Sequence, residues 1–181
     1  YSSENSNRPK WKHVGRKTSW IYPTYTDNLT EKSISDSGHL ILVESIGDLL
    51  NLKENGVHNV MVSFGLDFSS KLLSYIVSLN PDKIVISLNN DDQSTENRGK
   101  IASHKNYLKM VSSLFMSEKI RICPPVKNDF GDMNPEDFEL WRSKLENALE
   151  ENQSEAVRSY CKEIAKQGLI SRSLSKNIKR I

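Results

Sequence analysis

Only two cysteines occur in the 181 residues, Cys123 and Cys161, with eight glycines and six prolines. Two thiols cannot build a disulfide framework or a zinc ribbon, and neither has a second Cys or a His at ligand spacing. The four histidines, His13, His39, His58 and His104, show no ligand spacing either. A reducing, cytoplasmic setting is the expectation, in a bacterium or an infected host. Long apolar runs are also missing. Leu40 to Val43 and Val60 to Val62 are strand-sized, far below the roughly 18 residues of a membrane-spanning helix, so a membrane protein is excluded. No charged, apolar, small-residue leader follows Tyr1, and the chain reads as a fragment or a processed piece. No internal repeat or low-complexity tract is apparent.

What is present fits a soluble globular α/β domain with appendages: 36% hydrophobic, 27% charged and 8% aromatic residues. The net charge of +2 is small but unevenly placed. Arg8, Lys10, Lys12, Arg16 and Lys17 follow one another without an acid, interleaved with Trp11 and His13. From Arg158 to the end, Arg158, Lys162, Lys166, Arg172, Lys176, Lys179 and Arg180 are opposed by Glu163 alone. Both ends are basic.

Between them, strand and helix patterns alternate. His39 to Val43, Asn59 to Ser63, Lys83 to Leu88 and Lys119 to Cys123 read as strands buried on both faces. Helical spacing follows the first three: Ile46 to Leu52 stopped by Gly56, Ser69 to Leu79, and a long amphipathic run from about Gly99 to Ser117. Pro124-Pro125 ends the fourth strand. Such alternation predicts a parallel sheet of about four strands with helices on both faces. Residues 1–37 read as a basic arm and polar linker, 38–133 as the α/β domain, and 134–181 as a helical extension. Phe138, Trp141, Leu145 and Leu149 form one helical stripe, and Val157, Tyr160, Cys161 and Ile164 another; these are core contacts.

In sheets of this kind function gathers at the carboxyl ends of the strands. Glu44 stands after strand one, Asn90, Asp91 and Asp92 after strand three, and Asp129 and Asp132 shortly after strand four. Asp48 lies one helical turn beyond Glu44. Carboxylates collected there with no fixed cation nearby would repel one another, and a divalent metal is the usual remedy. Mg²⁺, or Mn²⁺, is the natural candidate: it takes oxygen ligands, typically one or two carboxylates plus substrate phosphates. Turn chemistry competes for Asn90, Asp91, Asp129 and Asp132.

These segments also carry a resemblance. Val43 to Asp48, Gly56 to Gly65, Val85 to Asp92 with Gly99 beyond, and Lys127-Asn128-Asp129 together resemble a Toprim domain, most nearly that of bacterial and phage DNA primases. The likeness covers about residues 39–133 in order. It implies that Glu44 is the general acid/base or metal-proximal glutamate and that Asp92 is the second Asp of the metal-binding Asp-x-Asp pair. Asp91, Asn90, Asp48 and Asp129 would complete the acidic edge. Asn90 falls where the pair's first Asp belongs, a departure that replaces a charged ligand by a neutral one. The loop of residues 93–98 is longer than is typical of primases and reads as a tolerated insertion. Upstream, Arg8, Lys10, Trp11, Lys12, Arg16 and Lys17 resemble the basic subdomain before Toprim, where cations meet phosphates and tryptophans stack on bases.

The resemblance implies a primase of phage type, making RNA primers by metal-dependent nucleotidyl transfer on single-stranded DNA. Its expected partners are that template, nucleoside triphosphates and, on the likeness alone, a replicative helicase. Two rivals share the acidic edge: a Toprim nuclease, and a non-catalytic nucleic-acid-binding module in which Asn90 records lost metal chemistry.

Overall fold

The computed structural model describes residues 15–23, 28–91, 97–113 and 115–181. Four short strands, β1 (His39–Val43), β2 (Val60–Val62), β3 (Lys83–Ile86) and β4 (Ile120–Ile122), form one sheet in the order β2-β1-β3-β4. All neighbours are parallel, with Ile41 opposite Val60 and Val85, and Ile86 opposite Ile122. This is the expected parallel sheet with helices on both faces. The helices are α1 (Asn28–Ser37), α2 (Ile46–Glu54), α3 (Ser70–Leu79), α4 (Arg98–Ser113), α5 (Pro135–Glu150), α6 (Ser154–Lys166) and a single turn, α7 (Arg172–Ser175).

Because side chains alternate along a strand, two separate cores form. Leu40, Leu42, Met61, Ile84 and Ile86 face Leu72 and Ile76 of α3 and Ile101 and Leu108 of α4. Ile41, Val43, Val60, Val62 and Val85 face Leu49 and Leu52 of α2 and the α5 stripe of Phe138, Trp141, Leu145 and Ala148. The helix starts are written locally. Ser45 and Asp48 form a capping box on α2, Asn134 and Asp137 another on α5, which also has Pro135 at its first position, and Ser69 caps α3.

Two expectations need correction. Residues 28–37, read as part of the polar linker, form α1, which buries Thr30 and Ile34. With two buried residues in ten, its apolar signal is too thin to stand out from a linker. Nor do residues 134–181 merely extend the domain. Phe138 and Trp141 fill the core beneath α2, while Val157, Cys161, Ile164, Ile170 and Ile181 close the one beside α4.

Each outer strand has one polar backbone edge satisfied from outside the sheet. Val62 donates its N–H to Tyr22 O at 2.9 Å, an antiparallel bridge that lays the end of the N-terminal arm along β2. On β4, the Gln153 amide takes the place of a strand. Its Oε1 accepts from Ile122 N at 2.8 Å and its Nε2 donates to Ile122 O at 3.2 Å.

Candidate acidic site at the carboxyl edge of the sheet

Glu44 leaves β1 at the carboxyl edge, half-buried, and among the described residues no donor reaches its carboxylate. Burial foremost, then the charges of Asp48 and Asp91, raise its proton affinity above the ordinary value near 4.5; Arg98 and Lys17 act in the opposite sense. Two exposed cations, Arg98 and Lys17, therefore act on Glu44, where the sequence pattern pointed to acids alone. Arg98 was not foreseen. Its signal was present in its being the first cation after the Asp91-Asp92 pair in the sequence, one position before Gly99.

The arm reaches the site through the turn after β2. Phe64 (φ 59°) and Gly65 (φ 135°) both have positive φ, and Gly65 N donates to Glu44 O at 3.3 Å. A phenylalanine in the left-handed region costs about 1–2 kcal/mol. Its ring meets Trp20 edge-on at 5.2 Å, and Lys71 Nζ donates to Ser19 O at 2.9 Å. These contacts place Lys17 where its charge is felt at Glu44.

Asp48 behaves as a frame for the site. Its Oδ2 accepts from Ser45 N at 3.0 Å and Ser45 Oγ at 2.7 Å, and its Oδ1 accepts from Phe130 N at 3.3 Å. It thereby ties the start of α2 to the loop after β4. Desolvation, with help from Asp129, still raises its proton affinity. Asp129 is carried on that loop and accepts from Asp132 N at 3.1 Å, which caps a 3-10 turn, while Asp132 is exposed.

Asn90 is likewise built into the scaffold. Its N–H donates to Asn128 O at 2.8 Å, its Oδ1 accepts from Asn97 Nδ2 at 2.9 Å, and its Nδ2 donates to Pro125 O at 3.4 Å. Asparagine supplies both a donor and an acceptor here, and an aspartate could not make the contact to Pro125. Asp91 Oδ2 accepts from Gly99 N, at 3.3 Å, in the first turn of α4. The chain leaving β3 presses so closely on α4 that a Cβ on Gly99 would stand 1.7 Å from Asn89 O.

The structure thus brings Glu44, Asp48, Asp91 and Asp129 to one edge, joined by Arg98 and Lys17. Asp92 lies outside the described residues, as do Arg8, Lys10, Trp11 and Lys12. Arg16 is exposed beside Lys17 at the described end of the arm. Among the described residues no group of three or more Asp, Glu, His or Cys stands ready to hold a metal ion. A cation sharing one or two carboxylates with substrate phosphates needs no such group. Glu44, which no described donor satisfies, and Asp91 suit that mode. The buried thiols do not: burial pushes Cys123 and Cys161 up to about 12. His104 is structural, with Nδ1 on Lys100 O at 2.8 Å and burial lowering it to about 4. Among the described residues no helix is long and apolar enough to cross a membrane.

The fold defined by this sheet is shared with solved primases. The RNA polymerase domain of Mycobacterium tuberculosis primase DnaG superposes with a TM-score of 0.55 at 15% identity, over 88% of this chain and 52% of that one. The zinc-binding and RNA polymerase domains of Aquifex aeolicus primase give 0.57 at 18% identity, over 96% and 45%. The Mycobacterium domain in complex with a double-stranded DNA oligomer with a 6-nucleotide overhang gives 0.57 at 16%, over 90% and 51%. The chain spans about half the length of these structures. No family model and no curated protein matches the sequence. The chain has a primase-like fold.

Proposed function

We propose that this chain is the Toprim-type catalytic part of a phage-like DNA primase, a metal-dependent nucleotidyl transferase that makes RNA primers on single-stranded DNA. The observation that carries the reading is Glu44: a half-buried carboxylate that no described donor satisfies, within reach of the charge of Asp91 at the carboxyl edge of a sheet whose fold is shared with primase polymerase domains.

In this reading Asp91 and Asp92, with Glu44, hold Mg²⁺ or Mn²⁺, and Asp129 completes the acidic edge. The ion would supply charge neutralisation for a triphosphate. Glu44 accepts a proton at its carboxylate, a task suited to a group whose proton affinity burial has raised. Arg98 and Lys17 meet phosphate oxygens from the flanks. Asp48 and Asn90 act as positioning residues that hold the loops after β1, β3 and β4 together. Arg8, Lys10, Trp11, Lys12 and Arg16 grip the template strand upstream. The cytoplasm is the compartment such a replication enzyme requires, with a helicase as its working partner.

The test incubates the chain with single-stranded template, nucleoside triphosphates and Mn²⁺ or Mg²⁺. Short oligoribonucleotides that disappear in Glu44→Gln support the proposal. Shortened template in place of new product would identify a nuclease instead.

A further inference from the structure

Seven cations between Arg158 and Arg180, against Glu163 alone, take no part in the acidic edge. Among the described residues none of the seven forms an ion pair. On α6, Arg158, Lys162 and Lys166 recur every four residues and so share one stripe, while Val157, Cys161 and Ile164 turn to the core. Glu155 opens that stripe, three residues before Arg158 and seven before Lys162, so the excess of positive charge builds up beyond it, from Arg158 to Arg180.

The segment is fastened along α4. Tyr160 of α6 lies 4.2 Å from the His104 ring, with Lys100 Nζ 4.7 Å above it. Leu169 closes a cavity of about 440 Å³ together with Arg98, Lys105, Ile101 and Leu66. At the far end of α4, Arg180 Nη1 donates to Ser112 O at 3.2 Å. On α4 itself Arg98, Lys105 and Ser112 lie seven residues apart in turn, hence on one face. That face begins at Arg98, whose charge reaches Glu44, and ends under Arg180. The 16 residues of α4 give it a length of about 24 Å. At 3.4 Å per nucleotide along one strand, roughly seven phosphates fit.

We propose that α4 and the C-terminal cations form a phosphate-binding track for a nucleic-acid backbone that runs to or from the acidic edge. The direction of the track rests on the primase-like reading, whereas the binding itself does not. The shared chemistry is the phosphodiester chain, offered as a single strand or as a duplex.

The experiment measures anisotropy of a labelled oligonucleotide, single-stranded and as a duplex, on the full chain across a salt series. Wild type is compared with the triple variant Lys166→Gln, Arg172→Gln, Lys179→Gln, all at exposed positions, with thermal unfolding as the folding control. Three lost phosphate contacts lower the slope of log K against log salt by about 2 for a single strand and about 3 for a duplex. Between 50 and 200 mM salt the wild type then loses roughly 20-fold more single-strand affinity than the variant. The arm in which the slope falls by its own expected amount, while the other arm's slope is unchanged, identifies the occupant. An unchanged slope in both arms, a wild type that binds neither, or polyglutamate bound with equal affinity and slope would each overturn the track. If the slope falls as expected while the chain makes no primers, the track stands and the enzymatic reading fails.

Discussion

Gly99→Ala tests the packing that shapes the candidate site. A Cβ there would lie 1.7 Å from Asn89 O and 2.6 Å from Asn89 C, both backbone atoms of the segment leaving β3. Neither can rotate away, so α4 and that segment must separate. Overpacking of a tight contact costs about 1–3 kcal/mol, and an overlap this deep belongs at the upper end. Alanine recovers at most about 1 kcal/mol of helix propensity. The net loss is about 2 kcal/mol, which for a chain of this size lowers Tm by roughly 4–8 °C in scanning calorimetry. The same displacement breaks the Gly99 N–H contact to Asp91, so metal or nucleotide binding at the edge weakens with it. An unchanged or raised Tm would refute the steric argument. Gly56→Ala supplies the contrast: at φ +77° with no atom within 4 Å, it costs only the left-handed penalty of about 1–2 kcal/mol and leaves the edge intact.

Further expectations follow from the site. Glu44 and Asp48 hold their protons more tightly in the fold than at their ordinary values of 4.5 and 3.8. Their stabilising contribution is therefore complete below those values and is lost as pH rises through the raised folded ones. Glu44→Gln accordingly raises Tm at neutral pH and loses that effect at pH values below the ordinary one, as a pH series of melts would show; equal Tm at neutral pH contradicts this. Asp48→Ala removes the carboxylate half of the α2 capping box and strands the buried N–H of Phe130, for a loss of about 2–4 kcal/mol by urea unfolding; less than about 1 kcal/mol would show that the latch is dispensable. Gln153→Ala bares the backbone of Ile122 on the outer strand, and amide exchange at Ile122 should accelerate about tenfold, for roughly 1.4 kcal/mol lost, with β1 unaffected.

The sheet was readable because strands buried on both faces are continuous apolar runs, and His39 to Val43 has the same bounds in sequence and structure. The capping boxes at Ser45 and Asn134, where Ser or Asn precedes an acid by three residues, are local features of the structure. The expectation that Glu44, Asp91 and Asp129 stand at the carboxyl edge came from the parallel strands, and that for Asp48 from its spacing one helical turn beyond Glu44. What each acid does there did not. The partners of Asp48 and Asn90 lie across the fold, at Phe130 and Pro125, and no local pattern announces them. The approach of Lys17 to Glu44 depends on the Trp20 and Phe64 contact and the Tyr22 bridge, which are tertiary. The role of α5 and α6 in completing both cores was hidden for a related reason: an amphipathic stripe tells that a helix packs, not where.

The most direct test of the account is a calorimetric titration of Mn²⁺ into the chain with a nucleoside triphosphate present, repeated with Glu44→Gln and Asp91→Asn. The account predicts saturable binding to the wild type that weakens at least tenfold in each variant. Binding that is absent from the wild type, or unchanged by both substitutions, would contradict a phosphoryl-transfer site at this edge.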